Sequence, residues 1–384
     1  MLTRPITDAA LRRVAGAFRL LGEHVGTVPY GNGHINDTFA ATYSQGGTVV
    51  RYILQRINDT VFRAPLSLME NIERVTVHLR SCVAELGLPQ PSRRVLTLVP
   101  SRAGTSWHVD EEGHVWRCYL FVEGARSWDV PESPAQAYQG ARAFGVFKRL
   151  LAAYAGPRLH ETIPLFHHTP SRVRSLEDAI AADPAGRTAG ARPEIAFALA
   201  RAPLAAALLR PYELGAIPER IAHNDTKLNN VLLDDATGEG MCVLDLDTVM
   251  PGLSLYDFGD MVRTATSPVA EDHPEAAAVR VRVPMFAALA RGYLDGAGAT
   301  LLASERELMV TAAMVLTYEC GVRFLSDHLL GDPYFRVHRP GHNLDRARTQ
   351  LALLASLEEH REELEAIVRA AASEAQEQPT APRA

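Results

Sequence analysis

Residues 221–263, IAHNDTKLNNVLLDDATGEGMCVLDLDTVMPGLSLYDFGDMVR, constrain the fold more than any other stretch of this chain. They hold His223-Asn224-Asp225, an asparagine (Asn230) five residues past that aspartate, and an aspartate pair at Asp245 and Asp247. Two short apolar runs, Val231-Leu232-Leu233 and Cys242-Val243-Leu244, flank the polar DDATGEG. This pattern predicts strand, turn, strand. Such a hairpin folds Asp245 back toward Asp225 and Asn230, gathering two carboxylates and an amide oxygen in one place.

That set is what phosphoryl transfer from a nucleotide requires. One carboxylate accepts the proton of the attacking hydroxyl, while an asparagine and a second aspartate hold magnesium against the phosphates. The kinase pattern H-x-D-x-x-x-x-N followed by a metal-binding aspartate is met in order by His223, Asp225, Asn230 and Asp245. Aspartate-rich turns beside strands are usually just solvated, so the whole constellation carries the argument and no single tripeptide does. The literal Asp257-Phe258-Gly259 lies over thirty residues past Asp225, inside an apolar-spaced helix start. Asp245 is therefore the expected metal ligand, and Asp257 and Asp260 are expected to cap a helix or brace the loop.

The preceding chain predicts a small antiparallel sheet. Residues 7–21 are expected to be helical. Three strands should run into Tyr30, around Thr38–Tyr43 and around Val49–Ile57, with Gln45-Gly46-Gly47 as the second turn. The first turn, Gly31-Asn32-Gly33-His34-Ile35-Asn36, has glycines at Gly31 and Gly33 whose N–H groups can approach phosphate oxygens. Asn36 stands where protein kinases carry a third glycine. At the end of the third strand, where kinases carry a phosphate-touching lysine, the chain has Gln55 followed by Arg56. Strand alternation sends these two to opposite faces, so only one of them is expected to face the phosphates.

An amphipathic helix over Leu66–Gly87 follows, with Glu70 and Glu73 available to pair with a basic strand residue. Strands are expected at Arg94–Leu98 and Val115–Val122. The second leads through Phe121 and Val122, the expected adenine-binding hinge, to a lobe boundary near Gly124. Helices are expected at roughly 133–155, 194–210, 275–295, 304–330 and 342–372, with 178–193 a loop. The expected architecture is α+β and bilobal, with a small antiparallel-sheet N-lobe (1–123) and a larger, mainly helical C-lobe (124–373). The apolar-poor tail, 374–384, is expected to be disordered.

Composition narrows the partners. A formal charge of −6 and no lysine-rich block give no electrostatic footprint for nucleic acid. No apolar run reaches the length of a membrane span. Cys82, Cys118, Cys242 and Cys320 are widely spaced and read as thiols in a reducing compartment. The expectation is a cytoplasmic monomer acting on small molecules.

Five stretches carry a family resemblance: GNGHINDTF (31–39), YILQRIN (52–58), IAHNDTKLNNVLLD (221–234), LDLDTVMPGLSLYDFGDMVR (244–263) and YECGVRFLSDHLLGDPYF (318–335). They resemble the aminoglycoside phosphotransferase and choline kinase superfamily, whose members share the protein-kinase-like fold. They look closer still to the bacterial N-acetylhexosamine 1-kinases, which Gln55 in place of lysine also fits. The resemblance implies ATP-dependent, magnesium-assisted phosphorylation of the anomeric hydroxyl of GlcNAc or GalNAc. It implies Asp225 as general base, Asn230 and Asp245 as magnesium ligands, and His34, Arg323 and Tyr334 as sugar contacts. Lys227, two past the base, is placed to neutralise charge on the transferring phosphoryl group. Arg323 sits in the apolar TYECGVRFL, where a guanidinium needs a ligand or an ion pair with Glu319. A hemiacetal hydroxyl is more acidic than an ordinary alcohol, so a carboxylate base suffices. Arg323, Arg336, His338, Arg339 and His342 disfavour a cationic acceptor. Two alternatives stay open: the same fold acting on an aminoglycoside, choline or homoserine, and a non-catalytic nucleotide-binding module, suggested by the missing strand lysine.

Overall fold

The computed structural model describes residues 6–31 and 35–377. The chain opens with α1 (Asp8–Gly16), whose cap Thr7 accepts a hydrogen bond from Ala10 N–H at 3.3 Å. It then builds a five-stranded antiparallel sheet of order β1-β2-β3-β5-β4. The strands are β1 (Glu23–Pro29), β2 (Asp37–Gln45), β3 (Thr48–Arg56), β4 (His108–Val109) and β5 (Val115–Leu120). The β2–β3 turn needs two residues at positive φ, and Gly46 (57°) and Gly47 (87°) supply them.

Alternation gives the sheet two different faces. Tyr52, Leu54, Trp116 and Cys118 pack with Leu11, Val14 and Phe18 of the α1 region in a core of their own. The opposite face carries Ile53, Tyr119, Gln55 and Arg117 toward the rest of the molecule, with Gln55 directly opposite both Thr38 and Arg117. Against that side lies α2 (Pro65–Glu85), which buries Leu68, Met69, Ile72, Val75, Leu79 and Val83 at helical spacing. Gly87, just past its end, takes φ 63°.

The one-turn α3 (Pro91–Arg94) replaces the start of the strand expected at Arg94–Leu98. Gln90 is left-handed and Pro91 starts a helical turn, which uses up the residues before Val95. Beyond it the chain runs beside β5 with an isolated bridge, Leu98 to Tyr119, and short β4 takes the sheet edge.

Next comes β6 (Ala125–Arg126), which pairs with β8 (Val231–Asp234), itself paired with β9 (Gly240–Val243). A second small pairing joins β7 (Arg220–Ala222) to β10 (Met250–Gly252). The helices are α4 (Pro134–Leu151), α5 (Thr169–Ala182), α6 (Arg192–Ala200), α7 (Leu209–Glu213) and α8 (Ser254–Ala265). Then come α9 (Val283–Ala297), α10 (Ala303–Glu307), α11 (Met309–Leu329), α12 (His342–Glu359) and α13 (Arg361–Glu377). Glycines let α4 and α9 touch backbone to backbone: a Cβ on Gly145 would stand 2.4 Å from the Tyr293 carbonyl oxygen.

Several expected boundaries shift for local reasons. The first helix stops at Gly16, because Phe18 leaves it to bridge Ser101. The expected helix 194–210 breaks at Ala200, with Pro203 in the following 3-10 turn, and that expected at 275 begins only at Val283 with Pro284 in its first turn. The expected loop 178–193 holds the end of α5, started by Pro170 and capped by His168, whose Nδ1 accepts from Ser171 N–H at 3.2 Å. Helix α13 continues through the tail's first residues to Glu377, and the rest of the expected disordered tail lies outside the described residues.

Candidate active site

The loop between β7 and β8 holds the His223–Asn230 motif, and α8 stitches it from below. Asp257 accepts from the His223 N–H (3.2 Å) and the Asn224 N–H (2.8 Å), and Asp260 accepts from the Thr226 N–H (2.8 Å). Thr226 returns the bond, its hydroxyl donating to the Asp257 carbonyl at 2.5 Å. The literal Asp257-Phe258-Gly259 is thus a buried helix start that braces the loop. Phe258 packs on Phe286 and Tyr293, and a Cβ on Gly259 would stand 2.5 Å from the Ala312 carbonyl oxygen of α11. His223 bridges to the hairpin: its Nε2 bonds the Leu244 carbonyl at 2.8 Å, while its Nδ1 accepts from the Asp225 N–H at 3.3 Å. That fixes the neutral tautomer with the proton on Nε2.

Around Asp225 the hairpin brings the expected residues together. Lys227 Nζ lies 3.0 Å from Asp225 Oδ1, and Asn230 Nδ2 donates to Asp225 Oδ2 at 3.0 Å and to its carbonyl at 2.8 Å. Leu244 N–H donates to the Asn230 carbonyl at 2.8 Å, which anchors the next residue, Asp245, beside this group. Asp245 takes the left-handed conformation at φ 50°, one that aspartate tolerates better than most residues. Withdrawal from bulk water would raise the Asp225 carboxyl, but the Lys227 ammonium group outweighs it and holds it below the usual carboxylate range. Lys227 is held well above the ordinary lysine value, chiefly by Asp225.

Asp245 moves the other way, pushed up to about 7 by withdrawal from bulk water, by Asp247 and by Asp225. Its side chain is exposed, so the two neighbouring carboxylates are the cause that matters most, and a cation placed there would relieve it. Among the described residues no three His, Cys, Asp or Glu side chains form a protein-only metal cage. Magnesium needs none where one or two protein oxygens combine with phosphate oxygens and water. Asn230 and Asp245 fit that kind of donor set.

The sheet side differs from expectation. Gln55 and Arg56 do point to opposite faces, but both are committed: Gln55 Nε2 donates to Thr38 Oγ1 (3.0 Å), and Arg56 binds Asp37 through Nε (2.9 Å) and Nη2 (2.7 Å). The cation on the cleft face is Arg117, which sequence reasoning missed. Its Nε donates to Gln55 Oε1 at 2.9 Å, and its Nη1 pairs with the buried Asp247 across the cleft. Asn36 is also tied down, donating to Asp247 Oδ2 at 2.6 Å and accepting from the Asn58 N–H at 3.0 Å. Among the described residues Glu70 and Glu73 pair with no strand residue: Glu70 engages Arg74 and His160, and Glu73 accepts from Ser106. Gly31 takes φ 77°, whereas Gly33 and His34 lie outside the described residues.

At the expected hinge, Phe121 N–H donates to the Arg51 carbonyl at 3.1 Å, and its ring lies 3.8 Å beneath the Arg51 guanidinium. Val122 is 7% exposed, and among the described residues neither its N–H nor its C=O has a hydrogen-bond partner. Buried backbone groups rarely stay unpaired, so this edge suits a planar ligand with complementary donors and acceptors.

On the far side of Asp225, Arg323 of α11 does not pair with Glu319. Glu319 is taken by His167 (2.8 Å to Nδ1) and by the Thr169 hydroxyl (2.6 Å). Arg323 rests instead over the rings of Phe335 (5.3 Å) and Phe166 (5.9 Å), with no hydrogen-bond acceptor among the described residues. Tyr334 is 64% exposed beside Phe335, and Asp327 holds both backbone N–H groups of that pair at 2.9 and 3.0 Å. Of the other late cations, Arg339 is tied to Asp345 and His342 to Asp272.

His167 was also missed by sequence reasoning. Its Nε2 meets the Asn224 carbonyl at 3.1 Å, one residue from Asp225, so the pair it forms with Glu319 positions the loop. Burial opposes both charges; Glu319 nevertheless holds His167 above 6.5, and His167 holds Glu319 below 4.5. A raised histidine contributes stability fully below 6.5 and loses it as pH rises through its folded value. A lowered glutamate contributes above 4.5 and loses it as pH falls. The stability excess of wild type over Glu319→Gln is therefore expected to peak between pH 4.5 and 6.5. Breaking such a buried pair costs about 3–5 kcal/mol. Denaturant melts at both ends of the range check this; an excess that stays flat into alkaline pH rules the ion pair out.

The family model described as the phosphotransferase enzyme family matches residues 26–308. The chain belongs to that family. An aminoglycoside phosphotransferase from Alicyclobacillus acidocaldarius is similar in structure, with TM-score 0.54 and 13% identity over 94% of this chain and 96% of the other. A spectinomycin phosphotransferase solved with ADP and spectinomycin gives TM-score 0.54 and 13% identity over 96% and 99%. Choline kinase from Cryptosporidium parvum gives 0.53 and 11% over 91% and 92%. At these identities the likeness concerns the fold, which is the bilobal protein-kinase-like one.

Proposed function

We propose that the chain transfers the γ-phosphoryl group of ATP to the anomeric hydroxyl of an N-acetylhexosamine. The observation that supports a neutral polyol acceptor is the state of the charges beyond Asp225. Glu319 and Asp327, the carboxylates one turn either side of Arg323 on α11, are both engaged by internal partners and so are not offered to a polycation. Arg323 presents a guanidinium with unused donors over two aromatic faces, a surface suited to hydroxyl and amide oxygens. Support for the donor comes from the unpaired Val122 backbone, which suits adenine, and from the ADP bound in the spectinomycin phosphotransferase.

In this reading Asp225 accepts the hydroxyl proton, oriented by Asn230 Nδ2, and Lys227 offsets the charge on the moving phosphoryl group. Phosphoryl transfer has a loose transition state, so fixing the hydroxyl in line matters more than base strength. The lowered pKa of Asp225 keeps it unprotonated and ready to accept at neutral pH. Magnesium, held by Asn230 and Asp245, would supply charge neutralisation between the phosphates. Gly31 would cover the phosphates through backbone N–H, and Tyr334 would close over the sugar beside Arg323. The four free thiols fit a cytoplasmic setting, and no single helix among the described residues is long and apolar enough to cross a membrane.

Phosphorus NMR of the product tests the regiochemistry. A phosphate coupled to the anomeric proton, with no turnover of the methyl glycoside, is the expected result; a 6-phosphate, or phosphorylation of the methyl glycoside, overturns the acceptor assignment. Arg323→Ala is expected to raise KM for the sugar about tenfold or more, the worth of one charge-assisted hydrogen bond, with KM for ATP within about twofold. Equal rises in both would remove Arg323 from the acceptor site.

A further inference from the structure

The chain has two lysines, Lys148 and Lys227, and neither belongs to the sheet. A triphosphate brought beneath that sheet still needs a cation there. Gln55 is neutral, its amide fixed by Thr38 so that Oε1 faces Arg117. Arg56 is on the other face with Asp37, and Arg51 is bound to Glu123 at the hinge. Arg117 remains, directly opposite Gln55 in register and 1% exposed. Its Nε serves Gln55 and its Nη1 serves Asp247, and among the described residues Nη2 has no acceptor. A buried guanidinium keeps its charge and seeks anionic oxygens for its whole fork. Asp247 shows that an anionic oxygen is accepted at this place, two residues from Asp245.

On the reading of the chain as a nucleotide-dependent kinase, we infer that Arg117 is the phosphate-binding cation of the site. It reaches from β5 to do what a lysine on β3 does elsewhere, with Gln55 as the device that aims it. Its fork serves Asp247 and a phosphate oxygen together. The Gln55 amide orients the guanidinium plane, which is why the strand position tolerates a neutral residue. The competing account makes Arg117 only a strut between the lobes.

The two accounts differ in what a substitution does to ligands with and without phosphates. The test is calorimetric titration of ATP, ADP and adenosine into the full-length protein with magnesium, for wild type, Arg117→Lys and Arg117→Met. A further pair, Asp247→Asn with and without Arg117→Met, removes the carboxylate that Arg117→Met would leave buried and unpaired. Arg117→Met is expected to weaken ATP and ADP by about 10- to 100-fold, the range of one charge-assisted hydrogen bond, and adenosine by less than about twofold. Arg117→Lys, which keeps the charge and loses the fork, should fall between. If Arg117→Met does not fold, the same ATP-specific loss is read between Asp247→Asn and the double variant, and in Arg117→Lys. Equal loss for adenosine and ATP, or unchanged ATP affinity in a folded variant, overturns the assignment alone. Failure of the wild type to bind any of the three overturns the nucleotide reading and this assignment with it.

Discussion

Replacing Asp225 by asparagine is expected to lower kcat by about two to four orders of magnitude, the usual weight of a lost general base, while ATP binding and the melting profile change little. The geometry explains why the damage stays local. The loop that carries Asp225 is held by backbone N–H groups on Asp257 and Asp260 and by His223 on Leu244, none of which involves the Asp225 carboxylate. The substitution disturbs only the pairing of this carboxylate with Lys227 and Asn230, at a side chain still 25% exposed, where an ion pair contributes little to stability. Steady-state kinetics and a thermal melt on one preparation decide the matter. A variant with most of its turnover intact would move the proton acceptor elsewhere.

Asp245→Ala and Asp257→Ala are expected to fail in opposite ways. Asp245 is exposed and, among the described residues, its side chain holds no backbone group, so its loss should abolish magnesium-dependent turnover and leave a folded protein. Its acid is pushed up to about 7, so the ionised form is strained against its neighbours. Folding stability therefore falls as pH rises from 3.8 through that value, and Asp245→Asn should melt no lower than wild type at about pH 8 without magnesium. Asp257 is 3% exposed and satisfies two backbone N–H groups, with Lys148 Nζ 4.0 Å away. Removing it leaves those donors and a buried ammonium group uncompensated, a loss of about 3–5 kcal/mol. Magnesium titrations paired with melts compare the two; the reverse ranking would make Asp257 the metal ligand after all.

How far the sequence reached depended on the distance over which each feature is specified. The hairpin that joins Asn230 to Asp245 is local: two apolar runs and a polar turn determine it, and it formed as expected. The sheet of Tyr30 to Ile57 was equally legible, since alternation and Gly46-Gly47 are short-range signals. Arg117 was not, because its meaning lies in Asp247, 130 positions later. A trace of it was present: an arginine between Trp116 and Cys118 in VWRCYLF is a charge in a strand with no polar side to face. His167 left less, since a histidine in a loop says nothing until Glu319 arrives from α11. The strand expected at Arg94–Leu98 failed because apolar composition alone cannot show that a one-turn helix at Pro91 displaces its start. Asn36, read only as an absent glycine, is a link between the first loop, β3 and Asp247.

The bracing of the loop by α8 bears on pharmacology. In protein kinases the phenylalanine of Asp-Phe-Gly can pack in active or inactive arrangements, and its aspartate carries metal. Here Phe258 is wholly buried between Phe286 and Tyr293, Gly259 abuts the backbone of α11, and Asp257 holds the catalytic loop's own amides. Turning that segment outward would unfold the helix and release the loop together. Inhibitors that gain their selectivity by trapping the displaced phenylalanine therefore have no counterpart conformation to trap in this chain.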